Sequence, residues 1–312
     1  MIPVIKQEKL SELTQTDFKW FDVVDIDEAD IRELKKSFKL TPEITSYVSD
    51  LNERPHYDYD EHTDSHLLVY DVPLWPTAEI NHFTTRPIVF LIHEKTVFSF
   101  HTHRTNYVFE QFEGSEMHQR LQNVHDITEF VMLFLFHSTQ YFQRALTQIN
   151  TDRNQLDREL NNEIANRDLR ELAQIEKSLV YLSSSISTNL MMLQDLGKTP
   201  LARLLTPAAF ERLDDILIES KQSSQMVKIS SEVTEMLSKT SNNILNNNLN
   251  DTMKFLTVWS LLLTIPTIIT GFFGMNVNLP LTNNHWAWLI IIVLNIGFMI
   301  WLFIYMKKHH FI

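Results

Sequence analysis

Residues 253 to 276 read MKFLTVWSLLLTIPTIITGFFGMN, and within them the run from Phe255 to Phe273 carries no charged side chain. As a helix rising about 1.5 Å per residue, a run of about 19 residues spans the roughly 30 Å of hydrocarbon in a bilayer. A second charge-free run, Trp286 to Met306, follows after a short loop. Two adjacent runs of this length are rare as core helices of soluble folds, and they read as a transmembrane hairpin. Basic residues give its orientation. Lys254 stands before the first span, Lys307 and Lys308 follow the second, and the loop between has neither Lys nor Arg. Positive charge stays on the cytosolic side, so both termini are expected in the cytosol of a multi-pass plasma-membrane protein. Trp286 and Trp288 lie where aromatic anchors meet the outer interface.

One face of the first span is polar, and the pattern continues upstream. Asn242, Asn246, Asn250, Met253, Thr257, Ser260, Thr264, Thr267 and Gly271 recur at steps of three or four, with Leu262 and Ile269 opposite. Such a stripe is either the wall of a pore or a packing seam, because small residues also let membrane helices approach closely. The Asn-rich stretch Asn242 to Asn250 favours the pore, since Asn is a poor helix former and needs some compensation there. Two membrane helices cannot enclose a path for ions. Several copies around an axis could, with this face inward.

Working outward, residues 208 to 265 contain neither Gly nor Pro, and Thr206-Pro207 supplies an N-cap and a first helical position. A helix over that stretch is roughly 87 Å long and reads as a stalk entering the membrane. Residues 115 to 196 are likewise free of Gly and Pro and predict a long antiparallel helix pair, with the connection at Gly197-Lys198-Thr199-Pro200. The N-terminal third, rich in Pro and in β-branched runs, reads as α/β. It has a strand at Trp20 to Val24, a helix from Asp27 to about Phe38, a second helix after Thr41, and strands at His66 to Val72, Arg86 to His93 and Lys95 to His101. The predicted layout is a cytosolic α/β domain at 1–125, long helices at 126–205, a stalk at 206–254, spans at 255–273 and 286–306 around an outer loop at 274–285, and a tail at 307–312.

The net charge of −12 argues against a nucleic-acid surface, which needs clustered Lys and Arg. With no cysteine, thiolate metal sites and thiol nucleophiles are excluded. The N-terminal MIPVIKQEKLSELTQ lacks the apolar segment of a secretory signal. No phosphate loop or nucleophile motif is present, so the chain does not read as an enzyme or an ATP-driven pump. His101-Thr102-His103 lacks a third zinc ligand and reads as a surface strand, and His309 and His310 read as tail residues at the interface.

Phe273-Gly274-Met275-Asn276, placed directly after the first of two C-terminal spans, resembles the aromatic-Gly-Met-Asn signature of the CorA family of magnesium transporters. Met253-Lys254-Phe255-Leu256-Thr257 resembles the start of that family's first span, and Glu53-Arg54-Pro55 with Tyr57 and Asp58 is similar to a segment of its soluble domain. The resemblance implies an α+β membrane protein: a homopentamer with an α/β cytosolic domain, long stalk helices and two spans per subunit, the first lining the pore. It implies a selectivity filter at Gly274, Met275 and Asn276, further pore contacts at Thr267, Thr264, Asn250 and Asn246, and a hydrophobic gate at Met253 and Leu256. It also implies regulation by Mg2+ held between cytosolic domains, at Asp215 with Asp214 adjacent. Mg2+ dehydrates reluctantly, so neutral amide oxygens such as that of Asn276 suit the hydrated ion, and conduction needs binding weak enough to release it. Asn276 falls well over 100° from Gly271 on a straight helix and reaches the axis only if the helix ends or bends near Gly274. One departure is plain: Val277 to Trp286 reads VNLPLTNNHW and lacks the acidic residue many members carry in this loop. The expected function is passive uptake of Mg2+, with Co2+ or Ni2+ as further cargo. A zinc-transporting relative of the same architecture and a non-conducting, membrane-tethered metal sensor remain as alternatives.

Overall fold

The computed structural model describes residues 18–110, 124, 126–160, 164–275 and 286–308. The chain divides into two compact units, Met1–Leu237 and Ser238–Ile312.

In the first unit, one mixed sheet forms from β1 (Lys19–Val24), β2 (His56–Asp60), β3 (Ser65–Leu74), β4 (Thr84–His93) and β5 (Thr96–His101), successive side chains turning to opposite faces. The strand order is β1-β5-β4-β3-β2, with β1 parallel to β5 and the other pairs antiparallel. Leu67, Val69, Val89, Leu91 and Phe98 turn to one face, where α1 (Glu28–Phe38) and α2 (Pro42–Ser49) cover them with Leu34, Ile44 and Val48. Leu68, Tyr70, Phe90 and Val97 turn to the other, against residues that follow the short helix α3 (Tyr107–Glu110): α4 (Ile127–Leu160) and α5 (Asn166–Leu196). Both faces of β3 are therefore buried, which is why it reads as an apolar run.

The starts of α1 and α2 follow from their caps. Asp27 Oδ1 accepts from the backbone N–H of Ala29 and Asp30 at 2.7 and 2.8 Å, and Thr41 Oγ1 accepts from Ile44 N at 3.5 Å ahead of Pro42. The edge strand β2 (HYDYD) was not expected, since it has no apolar alternation. It forms by pairing with β3 from His56↔Val69 to Asp60↔Ser65, and its Asp58 and Asp60 discourage further strand addition at the edge. Beyond Val69 the edge of β3 has lost β2. There Asn189 of α5 takes over the ladder: its Oδ1 accepts from Asp71 N and its Nδ2 donates to Asp71 O, both at 3.0 Å. The Asp71 side chain is 9% exposed and accepts from Ser185 Oγ at 2.6 Å, and Ser185 Oγ lies 2.7 Å from Thr85 Oγ1. Burial raises the Asp71 carboxyl to about 6, against the lowering effects of Ser185 and Arg86.

Two sequence expectations need correction. The first break between the long helices falls between α4, which ends at Leu160, and α5, which begins at Asn166, and the Gly197–Pro200 connection instead joins α5 to the next long helix. No Gly or Pro marks this start; Asp168, 4% exposed, begins α5 by accepting from Ala165 N at 3.0 Å. His101 is not on a surface strand with His103. It is buried at the end of β5, its Nε2 2.9 Å from Asp22 Oδ1, while His103 opens an exposed 3-10 turn. Ser99 Oγ donates to the same carboxylate oxygen at 2.6 Å, so this is an interior polar knot and not a metal site.

The next helix, α6 (Pro207–Phe273), is capped by Thr206, whose Oγ1 accepts from Ala209 N at 3.1 Å. Within the first unit its buried positions Leu213, Ile216, Ser220, Ser223, Val227, Ser230 and Thr234 alternate by three and four. It runs in the same direction as α4: Thr206 bonds Glu129, Gln143 bonds Glu219, and Ser230 bonds Asn150. The second unit holds the rest of α6, including Pro266, and α7 (Ala287–Lys308).

Candidate functional site

Two helices, α6 and α7, are long and apolar enough to cross a membrane. They pack through Val258 and Leu262 of α6 and Met299, Leu302 and Met306 of α7. Ile265, Pro266 and Ile269 are half-buried on the same side of α6, one or two turns further on. At about 100° per residue this face is centred near Leu262, and Met253, Ser260, Thr264, Thr267 and Gly271 lie within about 40° of its opposite. Every residue of the polar stripe from Asn242 to Gly271 is exposed, including Asn246 and Asn250. The helix thus gives its apolar side to α7 and leaves its polar side without a neighbour among the described residues.

The exposed threonines are set up in one way. Thr257, Thr264 and Thr267 donate their hydroxyl protons to the carbonyls of Met253, Ser260 and Leu263 at 2.8, 2.7 and 2.9 Å. With the proton committed to the backbone, each oxygen offers lone pairs outward. A hydrated cation, whose waters point protons away from the metal, is the complementary partner. Met253 and Leu256, 64% and 58% exposed, form an apolar step between the Asn series and the threonines.

The helix ends at Phe273, followed by a turn in which Gly274 N donates to Thr270 O at 2.9 Å and Met275 N to Phe272 O at 3.4 Å. A Cβ on Gly274 would stand 3.1 Å from Thr270 O, so glycine allows the close approach that stops the helix there. Asn276 and most of the outer loop lie outside the described residues, as do His309 and His310. In the first unit, Asp214 and Asp215 are exposed on α6 between buried Leu213 and Ile216. Among the described residues, no group of three or more His, Cys, Asp or Glu side chains is placed to hold a metal. Asn295 of α7 was missed in the sequence. It is a single amide in an apolar run, and only the packing of the hairpin reveals that it faces α6.

The CorA family model, that of a CorA-like Mg2+ transporter protein, matches residues 15–308. The chain belongs to the CorA family. The cobalt/magnesium transport protein CorA of Methanocaldococcus jannaschii is 24% identical over 319 residues, covering 97% of this chain and 95% of its own. The complete structure of the CorA magnesium transporter from that organism matches with a TM-score of 0.80 at 21% identity, over 95% of this chain and 92% of the other. The cytoplasmic domain of ZntB from Vibrio parahaemolyticus matches at 0.60 and 10% identity, over 75% and 90%. These structural likenesses speak for the fold, an α/β domain with long helices and two candidate spans. CorA membership makes this chain a membrane protein of a divalent-cation transport family rather than a family of enzymes.

Proposed function

We propose that this CorA protein is a homopentameric, passive Mg2+ channel of the plasma membrane, with both termini cytosolic, admitting Co2+ and Ni2+ as lesser cargo. The observation that carries the reading is the uncovered polar face of α6. In hydrocarbon, exposed hydroxyls and amides need a polar partner, and the apolar partner α7 is already on the opposite side. Copies of α6 arranged around an axis supply water and ions as that partner. Residues 255–273 then line the pore, residues 286–306 surround it, residues 206–254 form the stalk, and residues 1–125 and 126–205 make up the cytosolic parts.

A hydrated Mg2+ enters at the Gly274-Met275-Asn276 turn, where five Asn276 amide oxygens accept hydrogen bonds from its water shell. Neutral oxygens hold the ion without trapping it. It passes Thr267 and Thr264, whose outward lone pairs continue the same contact, and then the ring of Met253 and Leu256. That apolar ring closes by dewetting and separates the threonines from Asn250 and Asn246. The membrane potential drives a divalent ion inward by about 4.6 kcal/mol per 100 mV, so no other energy source is needed. Mg2+ bound between neighbouring subunits at Asp215 and Asp214 holds the closed state when the cytosol is replete.

The test is Mg2+ flux into liposomes containing the purified full-length protein, with and without Asn276→Ala. Loss of selective uptake with unchanged oligomer elution supports the filter, whereas normal uptake sinks it. Parallel flux of Zn2+ under an imposed pH gradient separates the zinc-transport alternative. A protein that binds Mg2+ yet admits none would be a sensor and not a channel.

A further inference from the structure

Between Trp288 and Trp301, Asn295 is the only side chain of α7 that can both donate and accept a hydrogen bond. It is 9% exposed, on the stripe of Met299, Leu302 and Met306 that packs on α6. Its Nδ2 donates to Ile291 O of its own helix at 3.0 Å, and its buried Oδ1 has no hydrogen-bond partner among the described residues. An orphan acceptor is unfavourable anywhere in a protein core and more so in a bilayer, where no solvent can satisfy it.

What faces Asn295 follows from depth. It lies eight residues, about 12 Å, inward from the start of α7 at Ala287, and the same distance back from the end of α6 at Phe273 reaches Ile265 and Pro266. Pro266 has no N–H, so the Leu262 carbonyl loses its helical bond and the helix can bend there. One turn on, Thr270 flanks the face that meets α7. Its hydroxyl donates to Pro266 O at 2.7 Å, an oxygen that in a regular helix also accepts from the Thr270 N–H. That hydroxyl is therefore a donor that can be released without orphaning its acceptor.

We propose that Asn295 is a positioning residue for the pore helix: as α6 bends at Pro266, the Thr270 hydroxyl passes from the Pro266 carbonyl to Asn295 Oδ1 and fixes the bent state. The arrangement described leaves Asn295 Oδ1 unpaired, the bend at Pro266 pairs it, and the two arrangements form a two-state element at the level of Thr267. The inference rests on α6 lining the ion path. It adds a part of α7 that touches no ion.

The experiment uses the full-length protein in liposomes, measuring Mg2+ flux for Asn295→Leu, Thr270→Val and the double variant, with oligomer elution as a control. Each single change is expected to lower maximal flux about three- to tenfold, the range of one hydrogen bond within a membrane. Half-saturating Mg2+ stays unchanged, because the filter is intact. The double variant is expected to be no worse than the poorer single one, since both remove the same bond. Multiplying effects, or an altered half-saturation, would overturn the proposal. Thr270→Val leaves α7 untouched, so normal flux through it also overturns the proposal even where Asn295→Leu fails to assemble. Absence of Mg2+ flux through the unmodified protein would instead count against the pore reading itself.

Discussion

Asp71→Asn should make the first unit more stable at neutral pH, and the gain should vanish on acidification. An ordinary aspartate titrates near 3.8, whereas burial lifts Asp71 to about 6. Below 3.8 the carboxyl is protonated in both folded and unfolded chains and exacts no penalty. Between 3.8 and about 6 the unfolded chain loses the proton while the folded one keeps it, so stability falls as pH rises. Above 6 both are ionised and the full penalty applies, which for a gap of this size is roughly 3 kcal/mol. Asparagine has the same shape, never ionises, and can still accept from Ser185, so it removes the penalty without opening a cavity.

The assay is thermal unfolding of the detergent-solubilised full-length protein, wild type against Asp71→Asn, followed by intrinsic fluorescence at several pH values from 4 to 7.5. Trp20 and Trp75 lie in the same unit as Asp71 and report its unfolding. At roughly 2–4 °C per kcal/mol for a domain of this size, the variant should melt about 6–12 °C higher at pH 7.5 and level with the wild type near pH 4. Every other titrating group, including His66, whose pKa burial lowers, is common to both proteins and cancels in the difference. A constant difference across this range, or a variant less stable at pH 7.5, would refute the reasoning.

Two further outcomes follow from the ion path and its control. Replacing Met253 and Leu256 together by Ser should wet the constriction and raise resting Mg2+ entry several-fold in Mg2+-replete vesicles; unchanged resting flux would remove these residues from the gate. Asp215→Asn combined with Asp214→Asn should raise the internal Mg2+ needed to halve the flux by about tenfold or more, read by titrating Mg2+ inside the vesicles, and an unshifted midpoint would move the regulatory site elsewhere.

Where the sequence was informative, a single physical constraint dominated. No charge can be carried through hydrocarbon cheaply, so Phe255 to Phe273 and Trp286 to Met306 could be read from composition alone, and α6 does stop at Phe273. The start of the second helix after Thr41 was equally plain, because few residue types can satisfy a helix start. The reading failed where structure depends on a distant partner. His56–Asp60 is a strand only because β3 is beside it, and Ala165 begins a helix only through buried Asp168. His101 finds Asp22 from a strand nearly eighty positions away, and nothing local signals that pairing. For the candidate site, the stripe and its Gly-Met-Asn end were visible as periodicity and motif. The orientation of Asn295 and the isolation of Asp215 within one chain were not, since both depend on which faces neighbouring helices cover.

The period of the stripe itself bears on assembly. From Asn246 to Gly271 its members step by four, three, four, three, four, three and four, which repeats every seven residues. A straight helix advances 3.6 residues per turn, so a seven-residue stripe drifts about 20° per repeat, and over three repeats it would leave any straight axis by about 60°. It stays on the axis only if the helices incline to one another and wrap left-handedly, as in coiled coils. A stripe that merely packed against α7 would follow α7, yet the α7-facing residues Val258 and Leu262 lie on the other side of the helix. The spacing is therefore suited to several copies of α6 inclined about a common axis, and the same inclination gives Pro266 a direction in which to bend.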